Sequence, residues 1–193
     1  MDEKKIALDE AAHEVFAEKG YKHSNITEIA ARAGIAVGSF YKYYLSKEEI
    51  FLQVYIRENE RVRQQIWETT NWQADPLILM ESLFDRLLRD LSGNKILLEW
   101  NNPKIGGLLR AHYASVQGAA GSHFHQQLLR YVHETLARLG FSEAENQQIV
   151  RVYELVYYID VSVSEEDFAQ KTETLKALLH YFIKGVLHSQ QKR

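Results

Sequence analysis

The chain has 193 residues, a formal net charge of −3 and no cysteine, which excludes disulfides, thiol catalysis and cysteine-ligated metal sites. Hydrophobic residues make up 46% of the chain, yet no apolar run is long enough to span a bilayer. The first residues also lack the pattern of a signal peptide, so we expect a cytoplasmic globular protein.

Helical periodicity runs through almost the whole chain. Apolar residues recur at spacings of three and four, and the alternation typical of strands is absent. The sequence therefore predicts an all-α protein. The first helix is expected over Lys4–Lys19, where Gly20 ends it.

The segment from Asn25 to Lys47 has the layout of a helix-turn-helix. Asn25 is a favourable N-cap, and Glu28 stands where it can close a capping box. Gly34 supplies the turn between two short helices. The second of them, expected over Val37–Tyr44, has the small-then-aromatic layout of a helix that lies in the DNA major groove.

These motifs resemble the DNA-binding domain of TetR-family transcriptional regulators. The matching residues are Phe16, Gly20-Tyr21, Ile29-Ala30, Ala33-Gly34-Ile35, Gly38-Ser39-Phe40-Tyr41, Tyr43-Tyr44 and Ser46-Lys47-Glu48-Glu49. The resemblance implies an N-terminal three-helix helix-turn-helix domain, placed at residues 1–47, and a C-terminal helical ligand-binding and dimerisation domain at residues 48–193. Ala36 departs from the serine often found there, so the recognition helix is expected to lack a side-chain cap.

The recognition helix supplies most of the expected DNA contacts. Its first side chains are short and allow close approach to a duplex, whereas Phe40 and Tyr44 are expected to pack in the core. Lys42 is placed to reach a guanine edge or a phosphate. The resemblance adds residues that flank this helix. The expected DNA-binding set is Ser24, Asn25, Thr27, Val37, Gly38, Ser39, Tyr41, Lys42, Tyr43 and Lys47.

The charge of this segment is modest. Five basic residues and one acid lie between Lys19 and Lys47, a local charge of +4. Such a face fits binding that depends on dimerisation and base contacts more than on bulk electrostatics. Two alternatives stay open, that Tyr43 belongs to the core and that Lys47 is only a solvated charge in a first helical turn.

Several caps and breaks divide the rest of the chain. Ser46 opens a capping box at the start of a long helix, and a break over Asn71–Pro76 precedes the next one. Glycines and a proline between Asn101 and Gly121 predict a short or broken helix. Ser142 begins a further capping box, and Ser164 is expected to start the last helix.

The last two helices are apolar around most of their circumference, notably over residues 149–163. A helix of this kind must be covered on every side. We therefore expect two copies to pair through these helices in a four-helix interface, as a homodimer. Two core helices of a monomer are the alternative.

Aromatic residues are numerous in the middle of the chain and predict a pocket for a mostly apolar small molecule. The expected ligand-binding set is Trp67, Phe84, Trp100, Tyr113, Phe124, Tyr131, Tyr153 and Tyr157. Each of these residues also suits a core position. No phosphate loop, nucleophile elbow or His-Glu-x-x-His pair occurs, so we expect no enzyme activity, no cofactor and no metal site.

The expected function is that of a ligand-responsive transcriptional regulator, a repressor. It would bind a near-palindromic DNA operator as a homodimer and be released by a mostly apolar small-molecule effector. The alternative is a small-molecule-binding helical protein whose helix-turn-helix serves protein contacts, which the low net basic charge favours. The effector, the operator sequence and the choice between repression and activation stay open.

Overall fold

A computed structural model describes residues 2–115, 122–162 and 168–191, with side chains described for all of these except 87–88, 91–92, 156–162, 168–172 and 190–191. These ranges contain helices and loops and no β-strand, which confirms the all-α expectation. The α-helices are α1 (Glu3–Lys19), α2 (Ile26–Arg32), α3 (Val37–Phe40), α4 (Lys47–Thr69), α5 (Pro76–Ser92), α6 (Gly106–Ala114), α7 (His123–Arg138), α8 (Glu143–Ser162) and α9 (Phe168–Gln191). A 3₁₀ helix, η1, spans Leu97–Asn101. No helix of the described ranges is both long and apolar enough to cross a membrane.

Contacts divide the chain into two compact units, the first comprising Met1–Val62 with Arg89–Leu109 and the second Arg63–Leu88 with Arg110–Arg193. An aromatic cluster forms the centre of the first unit. The ring of Phe16 meets that of Phe51 edge to face, with centroids 4.9 Å apart, and the Tyr21 ring lies 5.1 Å from Phe51. Burying a side chain of this size contributes about 1.5–3 kcal/mol, so the cluster fixes α1 against α4.

Asn25 caps α2 as expected, because its Oδ1 accepts a hydrogen bond of 2.9 Å from the backbone N–H of Glu28. The second half of the predicted capping box is wrong. The carboxylate of Glu28 forms an ion pair with Lys19 at the end of α1 instead of bonding to the Asn25 backbone. A cation within reach competes successfully with a neutral backbone donor, since charge-assisted hydrogen bonds are the stronger ones.

A capping box also opens α4. Ser46 Oγ accepts from the Glu49 backbone N–H at 3.2 Å, as the sequence predicts. The Glu49 carboxylate in turn accepts from the backbone N–H of Leu45 at 2.6 Å, one residue earlier than in the usual arrangement. Both bonds satisfy N–H groups that have no partner within the helix.

The recognition helix is shorter than the predicted span from Val37 to Tyr44, because α3 ends at Phe40. Beyond it the backbone N–H of Lys42 bonds to the carbonyl of Ser39 at 3.2 Å, and that of Tyr43 to Phe40 at 2.9 Å. These i to i−3 bonds tighten the last turn. The backbone N–H of Tyr44 bonds to the same Phe40 carbonyl at 3.1 Å, and the Tyr44 side chain is buried, with only 3% of the residue exposed.

The second unit contains the later caps. Ser142 Oγ accepts from the Glu145 backbone N–H at 3.5 Å, and the Glu145 carboxylate accepts from the Ser142 backbone N–H at 2.9 Å, which confirms this capping box. The nine-residue α6 confirms a short helix between Asn101 and Gly121. Ser164, the expected start of the last helix, lies outside the described residues.

Candidate DNA-binding site

The turn between α2 and α3 depends on Gly34. Its φ is 68°, a left-handed conformation that side-chain-bearing residues rarely adopt. The backbone N–H of Gly34 bonds to the carbonyl of Ala31 at 3.1 Å, and that of Ile35 to Ala30 at 3.0 Å. This is a Schellman ending of α2, and it sets the direction in which α3 leaves.

Helix α3 and the turn after it present a continuous exposed face. Tyr41 is 53% exposed and Val37 39%, Lys42 is exposed, and a Cβ placed on Gly38 would meet no atom within 4 Å. Ser39 is half-buried. The first turn has no side-chain cap, as the alanine before it predicts. The face is therefore small at one end and aromatic and cationic at the other.

The core side of this segment is fully closed. Phe40 has no exposed surface, and Tyr44 donates its hydroxyl hydrogen bond to the buried carboxylate of Asp9. Lys5 donates to the Tyr44 oxygen at 2.7 Å and to Asp9 at 3.0 Å. The expected core positions of both aromatics are confirmed, and the network anchors the end of the recognition segment to α1.

Tyr43 has an unexpected partner. Its hydroxyl donates a hydrogen bond of 2.6 Å to the carboxylate of Asp2, the N-cap of α1. This bond raises the pKa of Tyr43 and lowers the pKa of Asp2. Tyr43 is half-buried with its hydroxyl engaged at the surface, so it is not a fully enclosed core residue.

The start of α2 mixes exposed and buried polar groups. Asn25 and Thr27 are exposed, as contacts to DNA require. Ser24, in contrast, is only 5% exposed, and its hydroxyl donates to the carbonyl of Tyr21 at 2.8 Å. Ser24 thus holds the loop that precedes the helix.

Lys47 points into the same loop. Its ammonium donates to the carbonyl of Tyr21 at 2.8 Å and to that of Ser24 at 2.9 Å. It also lies 4.1 Å from the centroid of the Tyr21 ring. Burial lowers the pKa of Lys47. Lys47 is therefore a half-buried, structured cation, and its expected contact with DNA stays a prediction.

Internal pairing reduces the available positive charge of the segment. Arg32 forms two hydrogen bonds to the Glu18 carboxylate, at 2.6 and 3.0 Å, and Lys19 is paired with an acid of α2. Lys22 and Lys42 are exposed and have no acidic partner in the part of the chain that the structure describes. They are the cations best placed to meet phosphates or bases.

Glu99 of η1 is a residue that the sequence did not single out. Its Oε1 accepts a hydrogen bond of 2.7 Å from the backbone N–H of Tyr21. A Cβ added to Gly20, whose φ is 71°, would lie 2.8 Å from that oxygen. The two partners are 78 residues apart, and no spacing rule connects an isolated glutamate to a distant loop.

Part of the expected ligand-binding set forms one aromatic cluster in the second unit. The rings of Trp67 and Trp72 lie 4.0 Å apart, that of Phe124 lies 6.3 Å from Trp67, and that of Tyr131 lies 4.8 Å from Trp72. The Tyr131 hydroxyl also donates to the Trp72 carbonyl at 3.0 Å. The side chain of Tyr157 lies outside the described residues.

The other members of that set are dispersed. Tyr153 stacks on the buried His125, Tyr113 is 6% exposed, and Phe84 is half-buried. Trp100 belongs to the first unit, where it stacks on a tyrosine of α4. Among the described residues no group of three His, Asp or Glu side chains forms a metal-ion site.

An open groove of about 410 Å³ lies on α8 and α9. Its lining residues are Phe141, Glu145, Gln148, Ile149, Tyr181, Phe182, Gly185, Val186 and Ser189. Apolar side chains of both helices are exposed, with 71% for Tyr181, 57% for Leu155 and 49% for Leu178. The C-terminal helices thus carry an apolar surface that is open to solvent.

Part of the first unit is similar to known proteins. Residues 9–54 match the family described as bacterial regulatory proteins, tetR family. The chain is 33% identical over 102 residues to the HTH-type transcriptional activator FasR of Mycolicibacterium smegmatis, covering 51% of this chain and 47% of that protein. It is 31% identical over 91 residues to the fatty acid metabolism regulator protein of Bacillus subtilis, covering 45% and 47%. The chain thus spans about half the length of these curated relatives.

Solved structures share the fold over nearly the whole chain. RolR in complex with resorcinol matches with a TM-score of 0.64 at 17% identity, covering 92% of this chain and 86% of that one. The regulator FadR of Bacillus subtilis in complex with stearoyl-CoA matches with a TM-score of 0.50 at 17% identity, covering 93% and 96%. The solved structures thus show the fold of the chain, and residues 9–54 are the part that matches the family described as bacterial regulatory proteins, tetR family.

Proposed function

We propose that this protein is a ligand-responsive transcriptional regulator that binds double-stranded DNA. The observation that carries the proposal is the exposed face of Val37, Tyr41 and Lys42, held on a closed aromatic core within the region that matches the family. A short helix with small side chains first and a tyrosine and a lysine after them fits the major groove, where base edges can be read.

The proposed contacts divide by chemistry. Val37, Gly38 and Ser39 lie against the duplex, and Tyr41 and Lys42 reach base edges or phosphates. The remaining proposed contacts to the DNA backbone come from Asn25, Thr27 and Tyr43, whereas Ser24 and Lys47, also expected to contact DNA, are bonded to carbonyls of the loop that precedes α2. Few free cations are available, so base contacts carry much of the affinity and the salt dependence is moderate. Functionally, residues 1–47 form the DNA-binding domain and residues 48–193 the ligand-binding and dimerisation domain.

The dimer forms through α8 and α9 in this proposal. The exposed Leu155, Leu178 and Tyr181 supply apolar surface of the kind that symmetric interfaces bury. Two copies then present two recognition helices to a near-palindromic operator, with half-sites about one DNA turn apart or a multiple of it.

The effector is a mostly apolar small molecule bound among aromatic side chains of the second unit. The cluster around Trp67, Phe124 and Tyr131 supports this choice. FadR is named with stearoyl-CoA and RolR with resorcinol, so these two compounds are suitable first probes. Binding that favours a conformation unsuited to the operator releases the DNA. We propose a repressor, although FasR is named an activator, and a reporter assay separates the two outputs.

Selection of binding sequences from random DNA by the purified protein tests the proposal. The expected result is enrichment of a near-palindrome that the protein also binds upstream of a gene, with affinity that falls as salt rises. Addition of an effector then lowers that affinity. Absence of any sequence preference would contradict the proposal and favour a helix-turn-helix that serves protein contacts.

A further inference from the structure

The loop between α1 and α2, residues 20–24, is held by two charged side chains from outside the helix-turn-helix. Lys47, the first residue of α4, donates hydrogen bonds to the carbonyls of Tyr21 and Ser24, at 2.8 and 2.9 Å. From η1, Glu99 accepts the backbone N–H of Tyr21 at 2.7 Å. Glu99 thus binds the backbone N–H of Tyr21, and Lys47 binds the backbone carbonyl of the same residue.

The ammonium of Lys47 is enclosed by this loop. An ammonium has three N–H donors, and two of them are used by carbonyls. The face of the Tyr21 ring, 4.1 Å from Nζ, offers a cation–π contact. That ring is itself fixed, because its edge meets Phe51 and its hydroxyl bonds to Glu48. All of the cation's described partners therefore belong to the protein.

Glu99 is equally well placed on the other side. The side-chain amide of Asn102 donates to its second oxygen, which fixes the carboxylate. Gly20 leaves room for the first oxygen, since a Cβ there would approach it to 2.8 Å. A side chain at position 20 would therefore displace the Glu99 carboxylate from its place beside the loop.

We propose that Lys47 and Glu99 are positioning residues for DNA binding, which clamp the loop of residues 20–24 from two sides and so fix the start of α2. In this arrangement Lys47 acts through the loop and does not contact a phosphate. The inference rests on the proposed DNA-binding function and deepens it. It also gives a role in DNA binding to Glu99, an acid that would not itself contact the negatively charged DNA.

The sign of the Glu99 effect separates positioning from plain electrostatics. Removing a negative charge from a protein that binds a polyanion strengthens binding when only long-range charge matters. Removing a carboxylate that holds the loop in place weakens binding. Glu99→Ala therefore has opposite expected effects under the two accounts.

Salt titration of operator binding separates the same two accounts at Lys47. A lost phosphate contact lowers the slope of log K against log salt by about 0.9 per contact, hence by about 1.8 for a dimer. Lys42→Ala is the matched control, since this lysine is exposed and expected to meet DNA. We expect Lys42→Ala to lower the slope, and Lys47→Ala to weaken binding about tenfold with the slope of the wild type.

The double variant completes the test. If one clamp is broken by either change, Lys47→Ala combined with Glu99→Ala loses little more affinity than each single variant, because residues acting on one element are not additive. Glu99→Gln retains an acceptor oxygen for the Tyr21 N–H and is expected to keep most of the affinity. A lower slope for Lys47→Ala, or unchanged or tighter binding by Glu99→Ala, overturns the proposal.

A second readout does not depend on DNA. Hydrogen exchange of the Tyr21 amide is expected to be slow in the wild type and fast in Glu99→Ala, while amides within α1 keep their protection. Lys47→Met and Glu99→Met, which keep the size of the side chain and remove its hydrogen bonds, replace the alanine variants if those fail to fold. A wild type that binds no DNA contradicts the proposed function alone, whereas equal Tyr21 exchange in both proteins contradicts the clamp.

Discussion

The side-chain amide of Asn94 donates a hydrogen bond of 2.6 Å to the carboxylate of Glu58, which is only 4% exposed. The oxygen of the same amide lies at the start of η1, where it accepts from the backbone N–H groups of Ile96 and Leu97 at 3.0 and 3.2 Å. Arg61 also donates a hydrogen bond to the Glu58 carboxylate, and His13 of α1 lies within hydrogen-bond distance of it, at 2.9 Å. The buried Glu58 carboxylate of α4 therefore bonds both to α1, through His13, and to Asn94, which precedes η1, the helix that contains Glu99.

The pH dependence of stability tests this hub. Burial raises the pKa of Glu58, but hydrogen bonds from Arg61, His13 and Asn94 outweigh it and lower the pKa to about 2. A folded-state pKa below the unfolded value of 4.5 gives stability that is complete above that value and is lost as the pH falls towards 2. We expect the stability advantage over Glu58→Gln to shrink by about 2 kcal/mol between about pH 6 and about pH 3.

Urea denaturation of both proteins at several pH values gives this difference directly. Glu134→Gln, which changes an exposed acid of α7, is the control and should differ from the wild type by the same small amount at every pH. A Glu58→Gln difference that is equally independent of pH would show that the hub is not ionised in the way described.

The contact between Asp2 and Tyr43 predicts an effect on DNA affinity. A phosphate near the Tyr43 hydroxyl competes with the Asp2 carboxylate, which also repels it. Asp2→Asn keeps an acceptor for the hydroxyl and removes the charge. We expect roughly twofold to fivefold tighter operator binding at low salt, with the gain fading as salt screens the repulsion. Fluorescence anisotropy measures it, and unchanged or weaker binding at low salt would exclude competition.

The apolar groove on α8 and α9 predicts where the dimer is vulnerable. Among the large apolar residues that line the groove, Tyr181 is the most exposed, at 71%. Tyr181→Glu would place an unpaired charge in the proposed interface and raise the dimer Kd by about a hundredfold, or about 3 kcal/mol. Sedimentation velocity follows this change. Gln126→Glu, which changes an exposed position on α7, is the control and should leave the dimer Kd unchanged. If Tyr181→Glu also left the Kd unchanged, the dimer interface would not include this groove.

Local chemistry explains which features could be predicted from the sequence. Asn25, Ser46 and Ser142 cap the helices that follow them, because a cap needs only a side-chain oxygen and a backbone N–H two or three residues away. The same short range covers the Gly34 turn and the burial of Phe40. Periodicity and capping alone therefore locate the helix-turn-helix.

Long-range pairing explains what could not be predicted. Lys19 takes the carboxylate of Glu28 away from its expected capping position, and Tyr21 meets Glu99 across 78 residues. Such partners follow from how the helices pack, and the sequence carries no periodic sign of them. Trp100 shows the same limit. Its position in the aromatic-rich middle of the chain predicted a place in the ligand pocket, but it packs in the first unit.

DNA binding through the exposed face of α3 is the central claim, and operator titration with a double variant tests it most directly. Tyr41→Ala with Lys42→Ala removes two exposed side chains without touching the core, so folding and dimerisation should be retained. Lost base contacts cost about 1–3 kcal/mol each, so affinity for the selected operator should fall at least about a hundredfold towards the level of random DNA. An intact dimer that binds the operator as tightly as the wild type would contradict the account.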